Sequence, residues 1–276
     1  MRILIAVDLA APAHDWLIGR ADDIAARVGA TLDVVYVRSP DASLATIDNQ
    51  LVQLQMMLSK VDGPRRGKPR CEPGVPVEVL VALSSEYDAL VVGPREPGAV
   101  ERMLRGTMAA RILLRAHCPV LIPRSTEWAE GSAKVLVAVD IHGRHQDKVV
   151  DYAADWTRAL EGRLDAVYAV AETIPYIKEP TVRERAEKEW LARHQSEMSA
   201  VEAILKHLPD GLRGEAMLRR GQPEAALVHL STDYHLVVLG NREREGLAGM
   251  LLGAVAQHVV RNASCDVLTL PTADLA

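Results

Sequence analysis

The chain has 276 residues, 49% of them hydrophobic, a formal net charge of −5 and only 4% aromatic side chains, with no Phe. That balance, without any Lys/Arg run, excludes a nucleic-acid surface built from a basic stripe and stacking rings. The apolar run after Met1–Arg2 is too short for a signal-peptide core, and no later stretch reaches about 18 apolar residues, so a soluble, cytoplasmic chain without membrane contact is expected.

The first predicted element is a strand over Ile3–Val7, read as covered on both faces because it is a continuous apolar run. A helix carrying Trp16, Leu17, Arg20, Ile24 and Val28 follows, then a strand over Leu32–Val37. Leu44, Ile47, Leu51, Leu54 and Leu58 predict one face of an amphipathic helix. Gly63, Pro64, Gly67 and Pro69 crowd the next stretch, so only a short edge strand around Arg70–Glu72 is expected. Pro76 suits the first turn of a helix, where a missing N–H costs nothing. A strand over Ala89–Val92, a helix opening near Gly106 and a strand over Val120–Ile122 complete the first half. A polar linker, Pro123–Ala133, comes next.

The second half repeats this order. RILIAVDL at 2–9 matches KVLVAVDI at 134–141, and TLDVVYV at 31–37 matches RLDAVYA at 163–169, both displaced by 132 residues. Gly74/Gly221, Gly93/Gly240, Gly106/Gly253 and Cys118/Cys265 are displaced by 147. Fifteen additional residues therefore lie between Ala169 and Gly221, and they are assigned to Thr181–Leu208. That charged segment has Trp190, Met198, Val201 and Leu205 as expected core contacts. It is read as a normal helix with a solvated face, with a partner-binding helix or lid as the alternative. Strands are predicted over Val135–Val139, Leu164–Val170, Ala216–Arg219, Leu236–Leu239 and Val267–Leu270. Strands and helices alternating twice over predict α/β architecture with two doubly wound domains, 1–124 and 133–272.

Between strand and helix, YDALVVGPREPGAVERMLRGTMAARILLRAHCPVLIP (87–123) and YHLVVLGNREREGLAGMLLGAVAQHVVRNASCDVLTLP (234–271) each present a Gly at a strand end and a second Gly at a helix start. An anion pocket can form there. Together with Ala6-Val7-Asp8, Ala138-Val139-Asp140 and the G-x-P triplets, these stretches make the chain resemble a tandem universal stress protein of the UspA type, once per half. The resemblance implies a Rossmann-like, adenine nucleotide α-hydrolase-like fold, with a five-stranded parallel sheet of order 3-2-1-4-5 per domain. It also implies that Val120–Ile122 and Val267–Leu270 pair, making one chain an intramolecular pseudo-dimer. Further association into a homodimer is left open.

The resemblance assigns Asp8 and Asp140 to the adenine and ribose end, and the backbones of Val37 and Ala169 to the base. It assigns Gly93, Gly106, Gly240 and Gly253 to the phosphates, with Thr107 as the closing hydroxyl. A complete motif reads G-x2-G-x9-G-[ST]. Here its second Gly is Glu96 or Glu243, and its hydroxyl position is Thr107 in one half but Ala254 in the other. A carboxylate about 4 Å from a phosphate charge costs roughly 1 to 4 kcal/mol, and Pro94 removes a further donor. Arg95, Arg102 and Arg105, or Arg242 and Arg244, offset part of this. The expected function is that of a non-catalytic stress-response protein with a degenerate nucleotide site, acting through a small ligand or a protein partner, with no certain cofactor. The alternative is an ATP- or AMP-binding sensor using the first half, with slow hydrolysis. A distinct enzyme of the wider superfamily is disfavoured, because no general base or nucleophile is placed beside the loop.

Other candidates have plainer readings. His142 and His145 could ligate a metal but have no Cys or third His nearby in sequence, so a solvated loop and no metal are expected. Cys118 and Cys265 are read as small buried hydrophobes rather than redox sensors. Asp33 and Asp165 are expected at solvent-facing strand positions or as sheet-edge charges, and Tyr36 and Tyr168 to pack near strand ends.

Overall fold

Runs of Val, Ile and Leu bounded by helical segments can bury both faces only inside a layered structure, and the computed structural model has that form. It describes residues 1–10, 14–93, 107–124, 132–143, 146–172, 178–241 and 253–271. The first half contains β1 (Arg2–Ala6), α1 (His14–Val28), β2 (Thr31–Arg38), α2 (Leu44–Leu58), β3 (Arg66–Pro73), α3 (Pro76–Ser84), β4 (Ala89–Val92), α4 (Thr107–Arg115) and β5 (Val120–Ile122). The second contains β6 (Lys134–Ala138), α5 (Gln146–Ala159), β7 (Arg163–Val170), α6 (Pro180–Arg193), α7 (Gln195–Lys206), β8 (Arg213–Arg220), α8 (Pro223–Leu230), β9 (Leu236–Asn241), α9 (Ala254–Asn262) and β10 (Asp266–Pro271).

All ten strands lie in one sheet of order β3-β2-β1-β4-β5-β10-β9-β6-β7-β8. Within each half the strands are parallel in the order 3-2-1-4-5, and β5 meets β10 antiparallel through Ile122↔Val267, Leu121↔Leu268 and Val120↔Thr269. Alternate strand residues feed two cores. Ile3, Ile5, Val135 and Val137 pack with α1, α2, α5 and α7 on one face. Leu4, Leu136, Val120 and Val267 pack with α3, α4, α8 and α9 on the other.

Four expectations need correction. β3 is eight residues long rather than a short piece. Gly67 and Lys68 form a bulge opposite Asp33, and as an edge strand β3 pairs on one side only, so Pro69 interrupts no second ladder. The segment Thr181–Leu208 is two helices, broken at His194 with φ −105° and ψ 31°. On α2, Leu54 and Leu58 are buried, but Leu44 is 81% exposed, because the buried face begins only after the first turn.

Asp33 is also buried rather than facing solvent. It accepts hydrogen bonds from the Tyr87 hydroxyl at 2.7 Å, the Lys68 N–H at 2.8 Å and the Arg2 guanidinium at 2.8 Å. In the second half the half-buried Asp165 accepts from Tyr234 at 2.7 Å and from the Glu215 N–H at 2.7 Å. A Cβ on Gly67 would sit 2.0 Å from Asp33 Oδ1, and one on Gly214 would sit 1.8 Å from Asp165 Oδ1. The repeated Asp–Gly–Tyr set thus fixes the edge strand to the strand beside it and to the residue that leads into the fourth strand.

Candidate functional site

Strand order reverses between β1 and β4, and again between β6 and β9, so the carboxyl ends of those strands form two topological switch points, the place where sheets of this kind bind ligands. In the first half the Val7 N–H donates to the Val35 carbonyl at 3.0 Å, extending the ladder one residue past β1. Asp8 follows, and its Oδ1 accepts the Ala10 N–H at 3.0 Å, a turn that holds the carboxylate at the strand end. Val37 lies near the end of β2, opposite Glu72. Gly74, at φ +139°, sends its N–H to the Arg38 carbonyl at 3.1 Å and delivers the chain into α3. Gly93 follows β4 directly. A Cβ there would come within 2.5 Å of Leu17 Cδ1, so the side chain of Leu17 on α1 occupies the space beside this glycine. Thr107 opens α4. Its side chain, Gly106, Glu96, Pro94 and the neighbouring arginines lie outside the described residues, as do Glu243, Arg242, Arg244 and His145.

The second half builds the same switch point from different contacts. The Val139 N–H donates to Val167 O at 2.9 Å. Asp140 donates its N–H to Gln146 Oε1 at 2.5 Å and accepts the His142 N–H at 3.2 Å through its carboxylate. Ala169 pairs with Arg219, and Val170 with Arg220. Gly221, at φ +121°, repeats the role of Gly74 by donating to Val170 O at 3.0 Å. Gly240 lies within β9, opposite Leu270. Gly253 caps α9 with φ −54°, and among the described residues a Cβ there would meet nothing within 4 Å. Among the described residues, helix packing gives no reason for glycine at Gly253, whereas at Gly93 the Leu17 side chain would have to shift to admit a Cβ.

The pattern reading missed a side-chain cluster beside Ala169. Glu172, just beyond β7, accepts from Trp190 Nε1 at 2.9 Å. His194 Nε2 lies 3.3 Å from the same carboxylate, and an Arg220 guanidinium nitrogen is also at 3.3 Å. The Trp190 ring is fully buried, 4.6 Å from the His194 ring, with the Arg220 guanidinium 6.0 Å from its centre. His142 meets the edge of Tyr168 at 6.2 Å. Trp190 and His194 come from α6 and the break after it, which hold the fifteen additional residues. The matching positions in the first half are Ala10 for His142, Pro40 for Glu172 and Pro73 for Arg220, so none of this chemistry is repeated there. The signal available in sequence was the insertion itself with a lone Trp in it.

Cys118 and Cys265 are both buried, and burial pushes each thiol up to about 12, which leaves almost no thiolate at neutral pH. Among the described residues, no group of three or more His, Cys, Asp or Glu is placed to hold a metal ion, and no helix is long and apolar enough to cross a membrane.

The model of the universal stress protein family matches residues 65–124 and 132–271. A universal stress protein of Mycobacterium tuberculosis is 30% identical over 216 residues, covering 75% of this chain and 69% of its own length. A second universal stress protein of that organism is 28% identical over 200 residues, which are 70% of this chain. The chain spans 65% of that relative's length. The crystal structure of a universal stress protein from Archaeoglobus fulgidus aligns with a TM-score of 0.64 at 18% identity, covering 98% of this chain and 95% of that one, and so shares its fold.

Proposed function

The chain belongs to the universal stress protein family, and from that premise we propose that it is a non-catalytic stress-response protein of two domains, 1–124 and 133–272, whose nucleotide sites are degenerate and unequal. It acts by binding a small ligand or a protein partner in the cytoplasm. The carrying observation is the Glu172–Trp190–His194–Arg220 cluster, which stands beside the base position of the second half and has no counterpart in the first. The Glu172 carboxylate, already engaged by the Trp190 indole, His194 and Arg220, has little acceptor capacity left for an adenine edge. Glu96 and Glu243 stand where bare backbone would wrap the phosphates, which weakens both halves. The second half also has Ala254 in place of the closing hydroxyl.

A second reading, an ATP or AMP sensor confined to the first half, is favoured by one feature. Thr107 opens α4 with the hydroxyl residue that the other half lacks. Isothermal titration of the full chain with ATP and with AMP separates the two readings. The degenerate-site reading expects no binding of micromolar strength to either half, that is, no gain of about 8 kcal/mol. One nucleotide per chain, lost on Thr107→Ala, would establish the sensor reading instead. Two per chain would overturn both.

A further inference from the structure

The β5–β10 register has approximate two-fold symmetry. Leu121 faces Leu268, and these residues are repeat mates 147 positions apart, so the pairs Ile122–Val267 and Val120–Thr269 exchange under the repeat. Apolar edges this similar do not by themselves choose a partner. A first half could add its β5 to the β5 of another first half as readily as to β10.

The residues flanking that axis are not symmetric. Asp266, at the start of β10 and fully buried, receives the guanidinium of Arg20 from α1, which is also buried. It also accepts the Arg124 N–H at 2.7 Å. The Arg124 guanidinium turns to the carbonyls of Val260 and Arg261 at the carboxyl end of α9, where a cation is favoured by the helix dipole. The repeat mates of these three residues carry no such chemistry. Asp266 corresponds to the buried Pro119, Arg20 to Tyr152 and Arg124 to Pro271. Tyr152 instead donates its hydroxyl to the Asp88 carbonyl at 3.2 Å.

We propose that this buried Arg20–Asp266–Arg124 contact is a recognition code: the interface takes the complementary half, from the same chain or from a second copy, and rejects like with like. Two first halves placed together would bury two copies of Arg20 against Pro119 with no carboxylate. Two second halves would bury two copies of Asp266 against Tyr152 and Pro271, the latter without an N–H to donate. Each like pairing leaves two buried charges uncompensated, whereas the unlike pairing brings the Arg20 guanidinium and the Arg124 N–H to the Asp266 carboxylate. Specificity thus comes from a penalty on the wrong pair, added to an apolar contact that would tolerate it.

Two full-length variants test this, Arg20→Glu and Asp266→Lys. Each alone places like charges in the buried contact and is expected to melt well below the wild type. Refolded together, they are expected to form a two-chain species by light scattering, with a recovered melting temperature. In it the R20E half seats on the D266K half of the other chain, while the two unchanged halves pair. A mixture that behaves as the sum of its components overturns the proposal, as does either variant melting like the wild type. A third chain, R20M/D266L, removes the code while keeping the contact apolar. It is expected to form a larger share of two-chain species on refolding at high concentration than the wild type does, because like halves can then also pair. Refolding to the wild-type mass distribution would overturn the proposal.

Discussion

Asp33 shows how one side chain can stabilise a strand edge that its neighbours alone would leave loose. Its carboxylate is buried beside a bulge, where burial pushes its pKa up, but the Tyr87 hydroxyl, the Lys68 N–H and the Arg2 guanidinium outweigh that and hold it below the usual carboxylate range. A native value below the unfolded one, about 3.9, means that the group contributes its full stability above that pH and loses it as the pH falls through the native value. Comparing urea unfolding of wild type and Asp33→Asn from about pH 5 down to pH 2 should therefore show their stability difference shrinking on acidification. A difference that stays constant would place the acid-labile group elsewhere. The same carboxylate explains Gly67, since any Cβ there would collide with Asp33 Oδ1. Alternation in the sequence points such an Asp outward. Its burial follows from a tyrosine that arrives 54 residues later, and no local pattern encodes that arrival.

Among elements, α6 separates the two halves most. It lies on the edge side of the second half, ahead of α7, and its Trp190 is fully buried although most of the helix is exposed. One aromatic ring thus anchors an otherwise solvated helix, with Glu172 accepting its indole N–H and drawing His194 and Arg220 to the same carboxylate. Trp190→Ala should cost about 3–5 kcal/mol, because it removes a buried indole and strips Glu172 of a donor. Denaturant unfolding measures the loss, and limited proteolysis should then cut α6 before any strand. Had α6 been only a solvated decoration, the substitution would change stability by less than about 0.5 kcal/mol. The insertion and its length were legible in the broken repeat, and so was Trp190 as a core contact. The cluster was not, because Glu172, Trp190 and Arg220 converge only when β7, α6 and β8 are packed.

At the scale of the molecule, one sheet runs through both halves and its continuity depends on the three-residue β5. So short a ladder supplies few hydrogen bonds, and the buried Arg20–Asp266 contact beside it holds α1 of one half to β10 of the other. Burial lowers the pKa of Arg20, which Asp266 opposes. Removing one partner of such a pair leaves an uncompensated buried charge, so Arg20→Met should lower stability by about 3–5 kcal/mol in urea unfolding. Loss of a few tenths only would show that water or another group takes over the carboxylate.

The family resemblance implied the strand order within each half; the sequence by itself determined the alternation of strands and helices, the internal repeat and the motifs that mark the family. Those follow from local hydrophobic period, turn chemistry and repeated motifs, all of which are written along the chain. It also placed Asp8, Val37 and Gly93 at neighbouring strand ends, since their positions are fixed once the strands are. Only the tertiary structure decided which charges are buried, that Asp33 reaches Tyr87, that Asp266 reaches Arg20 and that Glu172 gathers Trp190, His194 and Arg220. The physical reason is distance along the chain. A buried polar contact is stable only when its partner is delivered by another element, and which element delivers it is settled by packing rather than by neighbours in sequence.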